Sequence, residues 1–146
     1  MKQPSFGIYL NRKTGEFLVS RQFLDNHGLH VDTGKFIRFS TDQMRAEGVR
    51  FAERHFAEFE TRTADEKSEF QTMTPDEERQ FFQNHDCIWV YRPRPEEIVF
   101  WPQQIVKRRG RFIDVGVDPQ DTIHMSWPAS AEKFFTFLMD AFEKTP

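Results

Sequence analysis

From Phe6 to Ser20 the chain reads FGIYLNRKTGEFLVS, with apolar side chains at every second position: Phe6, Ile8 and Leu10, then Phe17 and Val19 beyond a charged turn. A period of two is that of a strand with one buried face, so these five residues are expected in a core. Thr14-Gly15 supplies the turn, glycine taking positive φ without strain, and Asn11, Arg12, Lys13 and Glu16 are expected to decorate it. KFIRFS repeats the alternation, opening at Phe36 or Ile37 and ending at Phe39. The segment DNHGLHVDTG before it carries turn residues at both ends, so the first forty residues predict a meander of three strands.

After Ser40 the period lengthens. Met44, Phe51, Ala52, His55, Phe56 and Phe59 fall on one stripe of a helix, and Ser40 with Gln43 has the spacing of a capping box. Gly48 weakens that helix by about 1 kcal/mol relative to alanine. TRTADEKSEFQTM has few apolar positions beyond Phe70 and Met73 and predicts a solvated loop or a frayed extension. Thr74, Pro75 and Glu77 announce a second helix, with a cap, a first-turn proline and capping-box spacing. CIWVYR, EEIVFW, QIVKR, RFIDVGV and TIHMSW then predict five short strands separated by Pro, Gly or Asp turns. SAEKFFTFLMDAFEK closes the chain as an amphipathic helix, with Phe134, Phe135, Leu138, Ala141 and Phe142 on one face. The expected fold is α+β: one domain over residues 1–146, a largely antiparallel meander sheet with helices packed on it.

Composition adds a core and removes some functions. Seventeen phenylalanines, three tryptophans and two tyrosines in 146 residues are enough bulky apolar matter for one globular core. A net charge of −3 argues against a dedicated nucleic-acid binder, whose affinity rests on many phosphate contacts. The charge is uneven, however. Between Thr41 and Asp86 acidic residues outnumber basic ones about two to one, whereas YRPRPEE and KRRGR make Tyr91 to Arg111 basic. Cys87 is the single cysteine, so no intrachain disulfide forms. No apolar run suits a secretion signal or a membrane span, and the expected location is the cytoplasm.

A search for reactive groups yields no catalytic set. His85, Asp86 and Cys87 are adjacent, but a thiol nucleophile needs a base meeting it through space, and a buried strand cysteine is the simpler reading. His27, His30 and Asp32 could form a metal pair with a carboxylate, but no second pair at ligand spacing accompanies them. His55 and His124 read as satisfied core or interface histidines. Neither G-x-S-x-G nor a phosphate-cradling glycine loop occurs. KRRGR reads as a hairpin tip with charges in water; its functional alternative is a nucleic-acid-associated module built on segment 92–111 with Trp101 for stacking. The acidic stretch, with Glu58, Glu60, Asp65, Glu66, Glu69, Asp76, Glu77 and Glu78, reads either as a solvated face or as a docking surface for a basic partner.

The opening FGIYLNRKTGEFLVS resembles the start of the immunity proteins of contact-dependent growth inhibition systems, where an aromatic-Gly-aliphatic-Tyr strand precedes a Lys-Thr turn and a strand ending in Val-Ser. The motif covers about a tenth of the chain, and the order of elements is similar beyond it. The resemblance implies a non-enzymatic, cytosolic antidote, without cofactor or metal, that binds the C-terminal toxin domain of a large delivered protein and blocks its active cleft. Such toxins are commonly nucleases with basic clefts, which makes the eight carboxylates above the candidate interface. Independently of it, the lack of an apolar span leads to an expectation of no membrane association, and the modest net charge argues against a nucleic-acid ligand.

Overall fold

In the computed structural model, which describes residues 3–59 and 73–146, two antiparallel meanders share one sheet. The first joins β1 (Ser5–Asn11), β2 (Glu16–Leu24) and β3 (His30–Phe39). Helices α1 (Thr41–Phe59) and α2 (Pro75–Asn84) then carry the chain to the other side of β1. There β4 (His85–Arg94) pairs with β1, followed by β5 (Glu97–Arg108) and β6 (Arg111–Gly116), giving the order β3-β2-β1-β4-β5-β6. A short β7 (Ile123–Ser126) pairs with the first half of β5, and α3 (Ala131–Phe142) completes the chain.

One face of the sheet carries the main core. Phe6, Ile8, Phe17, Val19, Ile88, Val90, Ile98 and Phe100 are at most 1 % exposed and meet the buried stripes of α1 and α3. The capping box of α1 is complete: the Gln43 amide donates to Ser40 Oγ at 3.1 Å and the Ser40 amide to Gln43 Oε1 at 2.8 Å. Gly48 is a position where α1 meets a ring of α3. A Cβ there would stand 2.8 Å from Met44 Sδ and 3.1 Å from the Phe134 ring, so the glycine trades helix propensity for helix contact. At α3, Ser130 Oγ accepts from the Lys133 amide, and the Arg12 guanidinium in the first turn holds both Asp86 and the Phe142 carbonyl.

Three local expectations change. Strand β3 starts at His30 rather than near Phe36, because the turn is confined to 25–29: Asp25 Oδ1 accepts from the His27 and Leu29 amides, and Gly28 takes φ 77°. EEIVFW and QIVKR are one strand, not two. Pro102 lies where β5 exchanges partners, with Ile88 of β4 paired to Pro102 and Gly116 of β6 paired to Gln103, so its missing N–H interrupts neither ladder. Tyr9 and Leu18, on the alternate face of a hairpin expected to be half buried, are 4 % and 5 % exposed, because Phe36, Phe81 and Phe82 cover them.

That covering makes the sheet curl. The β5–β6 hairpin leaves β4 after Pro102 and folds over the second face, turning through Arg109 (φ 51°) and Gly110 (φ 76°), as expected of KRRGR. At its base Gly116 lies so close to Trp101 that any Cβ would enter the indole ring. Helix α2, capped by Thr74 Oγ1 accepting from the Glu77 amide, packs against β6 and β4 through Phe82, whose ring faces Phe112.

Candidate partner-binding surface

Between the second face of the sheet and the α2–β6 cover lies an open groove of about 460 Å³. Tyr9 and Trp89 form its sheet wall, Phe82 and Glu78 come from α2, and Arg111, Phe112 and Asp114 from β6. His30 and Trp89 are shared with an adjoining hollow of about 230 Å³ lined by Ser5, Tyr91 and Trp101. The two hollows form one concave surface along β1 and β4. Its aromatic side chains follow from the strand period: Cys87, Trp89 and Tyr91 alternate with Ile88 and Val90, which point into the main core.

The polar groups of this surface are held in place. Glu78, 4 % exposed, accepts from the Phe112 amide at 2.8 Å and from Arg111 Nη2 at 3.1 Å, fastening the hairpin to α2. Asp114 accepts from the Trp89 indole N–H, and Cys87 Sγ lies 3.8 Å from the same carboxylate oxygen. Ser5 Oγ donates to the buried Gln22 Oε1 at 2.7 Å. Desolvation pushes the Tyr91 phenol above its ordinary range, and the Glu97 carboxylate adds to the shift. Aromatic walls with a few fixed polar groups suit recognition of a side chain or small group.

Of the acidic residues singled out in the sequence, the four that are described lie on α1 and α2 in different settings. Glu58 is exposed on α1 and pairs with Arg21 at 2.7 Å. Asp76 and Glu77 are exposed in the first turn of α2, with Asp76 3.1 Å from Arg79. Glu78 on the same turn points inward to Arg111, so its carboxylate belongs to the groove rather than to an outer acidic face. Glu60, Asp65, Glu66 and Glu69 lie outside the described residues.

Four of the five histidines and the cysteine have side-chain partners within the fold. His55 is fully buried, with Arg21 Nε donating to its Nδ1 at 3.2 Å and the Ser5 carbonyl 2.6 Å from its Nε2. Because a guanidinium only donates, Nδ1 is the acceptor and Nε2 carries the proton: a neutral core imidazole. His85 stacks on Phe81 and bonds its carbonyl, His30 bonds the Gln3 carbonyl, and His124 faces Glu97. Cys87 is buried in β4. Among the described residues no group of three or more His, Cys, Asp or Glu side chains is placed to hold a metal ion. In the basic segment, Arg111 is engaged by Glu78, Arg94 by Glu97, and the Trp101 indole nitrogen by the Val117 carbonyl; Lys107 is exposed with its ammonium over the Phe112 ring, and Arg108 and Arg109 are exposed at the hairpin tip.

Sequence reasoning missed the groove because its parts are distant along the chain. A signal was present nonetheless: in CIWVYR both alternating sets are apolar or aromatic, which requires a cover on each face of β4.

No protein-family model and no curated protein matches this sequence. Solved structures do match in fold. A protein of unknown function from Neisseria meningitidis, NMB0488, superposes with a TM-score of 0.65 at 10 % identity, covering 99 % of this chain and 96 % of that one. A chain in the CdiA-CT/CdiI toxin and immunity complex from Yersinia pseudotuberculosis superposes with the same TM-score and identity, covering 100 % of this chain and 99 % of that one.

Proposed function

We propose that this chain is a cytoplasmic immunity protein of a contact-dependent growth inhibition system, binding its cognate toxin domain without catalysis and covering that domain's active cleft. The observation that carries the reading is the end-to-end likeness of fold to a chain of a toxin and immunity complex, arrived at independently of the hairpin motif FGIYLNRKTGEFLVS. A nuclease is the expected partner. Its cleft carries cations to hold phosphates, and the carboxylates of α1, α2 and the groove are chemically suited to meet them. The absence of an apolar helix long enough to cross a membrane among the described residues suits such a role.

Coexpression tests it. Cells carrying the toxin domain encoded beside this chain should stop growing, and should recover when the chain is coexpressed and co-purifies with the toxin. No rescue and no complex would refute the reading. RNA or DNA binding that falls steeply with salt and disappears on reversing Arg108 and Arg109 would replace it with the module built on segment 92–111.

A further inference from the structure

Among the described residues two carboxylates, Glu78 and Asp114, line the groove, and their charges are balanced differently. Glu78 is neutralised in place by Arg111. Asp114 receives only neutral donors, the Trp89 indole N–H and the Cys87 thiol, and no lysine or arginine among the described residues stands within ion-pair distance of it. Among the described residues the Asp114 carboxylate is therefore without an ion pair, fixed in orientation by the indole and set among Trp89, Tyr9 and Phe112.

Resting on the immunity reading, we propose that this groove seats a cationic side chain, arginine or lysine, presented by the toxin domain, with Asp114 as its charge partner and Trp89 as its aromatic wall. Charge complementarity decides the occupant. An anionic group entering here would meet Asp114, while among the described residues the groove's lining guanidinium, Arg111, is already bound to Glu78 and the Lys107 ammonium stands over the Phe112 ring rather than at Asp114. An apolar side chain would strip water from Asp114 without replacing its hydrogen bonds, which costs free energy. A cation satisfies the carboxylate and gains further attraction from the ring faces. A volume of about 460 Å³ admits a long side chain, and the adjoining hollow at Tyr91 and Trp101 leaves room for the residues flanking it. A nuclease cleft supplies such cations, so the groove would take a phosphate-binding residue out of service.

The test uses the full chain and a catalytically inactive toxin domain. Asp114→Asn keeps an oxygen to accept from Trp89 and removes only the charge, so its melting temperature should match that of the parent. Its affinity for the toxin domain should fall by ~10-fold or more, mainly through faster dissociation. Exposed Glu58→Gln with Glu77→Gln should change the association rate and its salt dependence only a few-fold. In the labelled parent protein, three tryptophans give three indole N–H resonances. That of Trp89 should shift on adding toxin, while that of Trp127, buried in the main core, should stay. If the parent binds but Asp114→Asn binds equally well, or the Trp89 resonance does not move, the groove proposal is overturned and the immunity reading stands. If the parent forms no complex, both fall.

Discussion

Beneath α1 and α3 the sheet offers Phe6, Ile8, Phe17, Val19 and Phe100, all closed to solvent, whereas on the opposite face the same strands offer Ser5, Gly7, Tyr9, Trp89 and Tyr91 around an open groove. On the first face shape complementarity is nearly complete, with aromatic pairs such as Phe6–Phe56 and Phe100–Phe134 packed edge to face or tilted. On the second, polar groups recur and the buried ones among the described residues have their bonds: Ser5 with Gln22, Gln103 with the Trp101 carbonyl, Glu78 with the Phe112 amide. One face is built to exclude everything; the other leaves organised space. Stability should concentrate on the first and recognition on the second.

The sharpest way to break this division is to truncate one aromatic on each side. Phe6→Ala removes a fully buried ring and should cost about 3 to 5 kcal/mol, measured by chemical denaturation. Tyr91→Ala, half-buried on the concave face, should cost about 1 to 2 kcal/mol, since only part of its ring is withdrawn from water. Equal losses would make the concave face a second core and remove the reason to look for a partner there.

A smaller effect tests how the groove is held open. Glu78→Ala deprives the Phe112 amide of its acceptor and leaves Arg111 without its carboxylate, so the hairpin should loosen from α2 at a cost of about 1 to 3 kcal/mol. Glu78→Gln retains an acceptor for Phe112 and should recover most of it. Denaturation of the two variants separates the hydrogen bond from the ion pair, because the exposed Arg111 contributes little through charge alone.

How much of this was legible follows the same division. The main-core residues of β1, β2, α1 and α3 obey single periods, two or 3.6, so the meander, the capping box of α1 and the final helix could be read directly from the chain. The concave face obeys no period across its parts. Tyr9 needs Phe81 and Phe82 from about seventy residues away to become buried, and Trp89 meets Asp114 only because the hairpin folds back at Pro102. Glu78 looked like one more acid in a solvated run, since nothing adjacent to it announces Arg111. The binding reading drew on a run of like charge along the chain, whereas the groove's chemistry depends on which carboxylate has a cation beside it, a property of the fold alone.

The weakest effect lies at the turn that delivers His30 to the rim of the groove. The Asp25 carboxyl is held below its ordinary 3.8, chiefly by the hydrogen bond from the Leu29 amide; desolvation opposes this, and the His27 amide and charge lower it further. With the native value depressed, the stabilisation is present above the unfolded value of about 3.9 and disappears as pH falls through the native one. Asp25→Ala should therefore differ in stability from the parent at pH 7, and the gap should close on acidification below about 4. Because the carboxyl is fully exposed, the gap should be the smallest of the series. Toxin affinity at pH 7 should fall only slightly, since His30 is also anchored to the Gln3 carbonyl at 2.9 Å. A gap that widens in acid would reverse the sign of the linkage and show that the turn is held by something other than this carboxylate.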